Sequence, residues 1–97
     1  MRIFNGQNNV AIAGTAELLV SPDLEVYVVI IKAKATNNGL IYVGDDSVDN
    51  ITGIILAAGE EVTIKIDDDD TNPYIDSSVS GEGVSYIGWL NENRSRR

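Results

Sequence analysis

The sequence predicts an all-β fold: one antiparallel β-sandwich or jelly-roll-like domain of about seven or eight strands. Three observations carry that expectation. No stretch holds a helical period, whereas two-residue alternation recurs. It is cleanest at residues 61–66, with Val62, Ile64 and Ile66 on one side and Glu61, Thr63 and Lys65 on the other. Turn-forming residues return about every 8–12 positions, the spacing of sandwich strands. Residues 25–49 then read as a long apolar strand, an Asn-Gly turn and a shorter second strand, a hairpin that organises the rest.

In chain order, residues 2–9 (RIFNGQNN) are polar with a glycine and read as an arm or entry turn. Residues 10–13 and 16–20 read as short strands, the second closed by Ser21-Pro22-Asp23, where proline presets a turn dihedral. The central strand sets Tyr27, Val29, Ile31, Ala33 and Ala35 on one face and Val26, Val28, Ile30, Lys32 and Lys34 on the other. Its first half is apolar on both faces, which suits the middle of a sandwich and a subunit contact equally well. Asn37-Asn38-Gly39 predicts a reversal through positive φ angles, leading into a strand from Leu40 to Gly44. Gly53 interrupts the apolar run at 51–56, so a short strand or a bulge is expected there. A strand at 74–78, a turn at 80–83 and a closing strand at 84–90 complete the pattern. Trp89 and Tyr86, an odd number of positions apart, belong to opposite faces of that last strand. The expected division is an arm at 1–9, a sandwich at 10–91 and a flexible basic C-terminal tail at 92–97.

Fifteen acids against seven bases give a net charge of −8 over 97 residues. Three of the bases are Arg94, Arg96 and Arg97, so the rest carries four bases against fifteen acids, a net −11. Such a surface repels phosphate backbones and anionic lipid, because gripping either needs Lys or Arg to displace counterions. Neither nucleic acid nor membrane is expected as a partner. No apolar run approaches the roughly 18 residues of a span, and no leader pattern follows Met1, so a soluble chain is expected.

Chemistry is sparse. With no His and no Cys, the usual general base, the thiol nucleophile and the commonest metal ligands are missing, so no enzyme activity and no cofactor are expected. The lysines at 32, 34 and 65 fall at outward strand positions, where an ammonium group stays solvated and protonated. Asp68, Asp70, Asn72 and Asp76 alternate like the start of a calcium loop. However, Pro73 stands where that loop needs glycine, and Val79 where it needs a bidentate glutamate. The expectation is a solvated loop, with a weak calcium site as the alternative. Asp45, Asp46 and Asp49 read the same way.

A spaced series remains: Ile31-Lys32-Ala33, Asn38-Gly39, Ile41-Tyr42-Val43-Gly44, Gly53, Leu56, Gly59-Glu60, Tyr74-Ile75 and Gly83-Val84. In this order, over residues 24–87, it resembles the small β-sandwich virion proteins of tailed bacteriophages, found as capsid decoration proteins and as head-fibre and tail modules. The resemblance implies a mechanical role: a homo-oligomer, commonly a trimer, bound to the major capsid protein or another virion protein. It would be made in the host cytoplasm and placed on the capsid surface. The expected contact residues are Ile3, Phe4, Val26, Val28, Ile30 and Trp89. Two alternatives stay open: a tail or fibre module stacking host glycans on Trp89, Tyr42 or Tyr74, and a cellular carbohydrate-binding or adhesion sandwich.

Overall fold

The structure is a computed structural model that describes residues 2–21, 23–66 and 72–91. Eight strands follow one another among them: β1 Arg2–Asn9, β2 Glu17–Leu18, β3 Val26–Ala33, β4 Ile41–Gly44, β5 Ile54–Leu56, β6 Glu61–Lys65, β7 Tyr74–Ser77 and β8 Gly83–Leu90. They build two four-stranded sheets, ordered β1-β8-β3-β6 and β2-β7-β4-β5. β1 pairs with β8, β2 with β7, β3 with β6 and β4 with β5, all antiparallel. The chain is therefore one long antiparallel ribbon doubled back at its midpoint, then rolled until β3 meets β8 and β4 meets β7. This is the eight-stranded jelly roll, as the fold class read from the sequence allowed.

Alternation along each strand fills the space between the sheets. Val29, Ile31 and Ala33 of β3 and Val84 and Leu90 of β8 meet Ile41 and Val43 of β4, Leu56 of β5 and Ile75 of β7. Ile31, Ile41 and Ile75 are wholly buried, each contributing about 1.5–3 kcal/mol by leaving water. Val62, Ile64 and Ile66 point inward as the alternation predicts, with Ile66 buried and the other two half-buried against the core.

Three expectations are corrected. The hairpin at Asn37-Asn38-Gly39 is a crossing between sheets: β3 already has β8 and β6 on its two sides, so β4 joins the opposite layer. The Glu82 carboxylate holds the crossing, accepting the N–H groups of Asn38 at 2.7 Å and Gly39 at 2.8 Å, while the Asn37 amide donates to the Gly83 carbonyl at 2.8 Å. Gly39 is needed for space rather than for a left-handed turn. A Cβ there would meet the Ser78 hydroxyl and lie 2.7 Å from Val79, and positive φ falls instead at Gly14, Gly53, Gly59 and Gly81. The expected arm at residues 2–9 is strand β1, registered with β8 over all eight residues, because the open side of β8 satisfies its backbone groups. Residues 10–13 form a loop rather than a strand. Val10 enters the core there, tied by its N–H to the Glu82 carbonyl at 2.9 Å and by its own carbonyl to the Gly81 N–H at 2.7 Å.

Candidate functional site

The two sheets treat their outer faces differently, and the face of β1-β8-β3-β6 collects most of the expected contact residues. Register sets three rows across it. Ile3, Trp89, Val28 and Lys65 stand side by side; next come Asn5, Ile87, Ile30 and Thr63, then Gln7, Ser85, Lys32 and Glu61. Cross-strand neighbours in such rows lie close enough for side-chain contact. The first two rows form an apolar patch in which Ile3 is 54% and Ile87 39% exposed, and Val28, Ile30 and Trp89 are half-buried. At its border the Lys65 ammonium sits 5.3 Å from the centre of the Tyr27 ring, a cation–π contact.

The face grades from apolar to polar. Its third row continues into a shallow groove of about 490 Å³, floored by Ile30 and Ile87 and edged by Asn5, Gln7, Lys32 and Ser85. On the reverse of the sheet, Phe4 tilts against Tyr86 with ring centres 5.9 Å apart. Trp89 and Tyr86 thus occupy opposite faces, as their spacing requires.

Four of the six expected contact residues meet on this face: Ile3, Val28, Ile30 and Trp89. The other two are corrected. Phe4 turns inward and packs on the core opposite Gly88, where any Cβ would lie 2.8 Å from its ring. Val26 is a core residue, 6% exposed and paired with Leu90. A register shift between Val26 and Val28 makes Tyr27 an extra residue, and one extra residue exchanges the faces of everything before it. Ile87 also stands in this patch, though the sequence reading omitted it; two positions from Trp89 in an alternating strand, it was accessible to the same argument.

The opposite outer face is covered at its centre. Tyr42 and Asp76, neighbours across β4 and β7, are 6% and 1% exposed. The loop after β1 folds over them, with Gly14 N–H donating to Asp76 Oδ1 at 3.0 Å and Ala13 N–H to the Ser80 hydroxyl at 2.9 Å. Asp76 Oδ1 also accepts from the Ser77 N–H at 2.7 Å. A cleft of about 320 Å³ remains beside Tyr42, Asp49, Asn50, Asp76 and Ser77. Tyr42 and Tyr74 lie on this sheet and Trp89 on the other, so the three aromatics do not make one stacking platform.

The aspartates after β4 serve their own loop. Asp45 Oδ1 accepts from the Ser47 N–H at 3.0 Å and the Ser47 hydroxyl at 2.8 Å, and these bonds hold the Asp45 carboxyl below its ordinary value. Asp49 Oδ1 accepts from the Ile51 N–H at 3.0 Å and the Thr52 hydroxyl at 3.2 Å. Of the calcium-like series, Asp68 and Asp70 lie outside the described residues, as does the tail at 92–97; Asn72 donates to the carbonyls of Ser21 and Leu24, and Asp76 accepts from Gly14 and Ser77.

No family model matches the chain, and neither a curated protein nor a solved structure matches it.

Proposed function

We propose that this chain is a virion structural protein of a tailed bacteriophage, a capsid decoration protein that docks on the outer shell through the outer face of β1-β8-β3-β6. The observation that carries the reading is the apolar patch of Ile3, Val28, Ile30, Ile87 and Trp89, built on paired strands of one sheet and left open by the loops among the described residues. Burying such a patch against a partner is the ordinary use of exposed apolar surface, and an aromatic at its centre is a usual anchor. The jelly roll is an architecture of capsid proteins, which agrees with the reading but does not distinguish it from lectins of the same fold. A net charge of −8 keeps such a module away from packaged nucleic acid. Working as a homo-oligomer, it adds contacts across the shell and performs no chemistry.

Addition of purified protein to shells assembled without it tests this directly. Stoichiometric binding and a higher temperature of shell rupture are expected. No binding, or binding that survives Ile87→Lys in a folded protein, overturns it.

The polar half of the same face favours a second reading, a tail or fibre module for surface glycans. Asn5, Gln7, Ser85 and Lys32 offer hydrogen bonds above an apolar floor, the mixture a sugar ring recognises. A glycan array in which signal depends on Gln7 and Trp89 would move the assignment to that reading.

A further inference from the structure

The edges of the two sheets are guarded unequally. An unpaired edge offers free N–H and C=O groups to any extended strand, and folded proteins blunt edges with charge, proline, bulges or brevity. Of the four edge strands, β2 has two residues and β5 three. β6 carries Glu61 and Lys65 along five residues. β1 has none of these devices. It is eight residues long, has no charge after Arg2 and no proline, and keeps register with β8 from end to end.

The Val10 N–H points to the Glu82 carbonyl beside β8, which fixes the alternation along β1. Phe4, Gly6 and Asn8 turn their backbone groups toward β8; Ile3, Asn5, Gln7 and Asn9 turn theirs to the open edge. Those four side chains are exposed as well.

We propose that β1 pairs with β1 of a second copy, antiparallel about a two-fold axis normal to the sheet, so that two four-stranded sheets become one of eight. Two features select a copy of this chain as the occupant. Residues 3–16 carry no charge in a chain of net −8, so two copies approach each other there with little repulsion. An antiparallel strand is also its own complement, the requirement of an isologous contact. The trimer implied by the family resemblance needs a second, different edge to close a ring, and β6, β2 and β5 are the guarded ones. An axis normal to the sheet keeps both outer faces on one side, so the patches of Ile3, Trp89 and Val28 from two copies lie on the same surface. The pairing does not depend on the docking reading and holds or fails separately.

Sedimentation velocity from about 5 to about 500 µM, with amide exchange on the full chain, tests it. The expected species has twice the 10.5 kDa mass of the chain. In that species the amides of Ile3, Asn5, Gln7 and Asn9 exchange at least about tenfold more slowly than on dilution to monomer. Asn5→Pro removes an edge-facing N–H while sparing the ladder to β8; it should raise the dissociation constant at least about tenfold with β8 amide protection unchanged. Gln7→Lys, which retains every backbone group, should weaken the pair in the same direction. A monomer at the highest concentration, a trimer, or a dimer lost on Ile55→Lys or Ile87→Lys but kept in Asn5→Pro would each overturn the proposal.

Discussion

The two outer faces of this jelly roll are built from similar strands and finished in opposite ways. Over β4 and β7, Tyr42 and Asp76 are roofed by the loop after β1, which puts the Gly14 amide on the Asp76 carboxylate. Apolar exposure on that side falls to Ile12 of the covering loop, 64% exposed, and to Ile54 and Ile55 of the edge strand β5, 50% and 49% exposed. Over β8 and β3 no loop among the described residues lies across the centre, and Trp89, Ile87 and Ile30 stand in the middle of the sheet. One face is closed by the chain's own backbone and the other is left for something else to close. A thin core explains the first arrangement: a domain of this size gains from every element folded over its sheets. The second adds exposed apolar surface with no intramolecular return, which is why association is its reasonable use.

Breaking the closed face should have the largest effect on stability. Asp76→Ala strands the buried Ser77 N–H and removes the charged acceptor that anchors the Gly14 N–H of the covering loop, and is expected to cost about 2–4 kcal/mol in chemical denaturation. Asp76→Asn, which keeps an acceptor oxygen, should cost less. Next comes the seam under the open face. Gly88→Ala places a methyl group against the Val28 carbonyl and the Phe4 ring, so about 1–3 kcal/mol should be lost and the Phe4 and Tyr86 resonances should shift together.

The open face itself should be nearly silent in folding. Ile3→Ser and Ile87→Ser are each expected to change stability by about 0.5 kcal/mol or less, yet both should lower dye binding and shell attachment. A large loss of stability from either would mean that the face is part of the core.

The smallest effect separates loop chemistry from both faces. Ser47→Ala removes the side-chain bond that depresses Asp45, so the Asp45 carboxyl should titrate closer to 3.8 in an NMR pH series. The sign follows from a folded-state value below the unfolded one. The small stabilisation is present above about pH 4 and disappears as pH falls through the folded value, and the variant, which keeps the Ser47 N–H bond, should show less of this dependence.

Much of this architecture was legible, for reasons tied to particular residues. Alternation at Val62, Ile64 and Ile66 marked β6, and the odd spacing of Tyr86 and Trp89 put them on opposite faces without saying which was inside. Three things were hidden. RIFNGQNN has two large apolar residues among amides and glycine, so nothing local marks it as a strand; β8 makes it one. Asn38-Gly39 announces a change of direction but cannot say into which sheet, since that depends on neighbours brought in from residues 61–65 and 83–90. The extra residue at Tyr27 lies inside an unbroken apolar run, where a change of parity leaves no trace in the pattern. That shift alone moved Val26 from the candidate site into the core.

Radical footprinting of the protein free and bound to its shell would test the open face most directly, because Trp89 is the sole tryptophan of the chain and stands in that face. Oxidation of Trp89 and Ile87 should fall several-fold on binding, with Ile51, at the far rim of the other sheet, labelled as before. Unchanged labelling of Trp89 and Ile87 together with protection of Ile51 would place the contact on the wrong sheet and contradict the account.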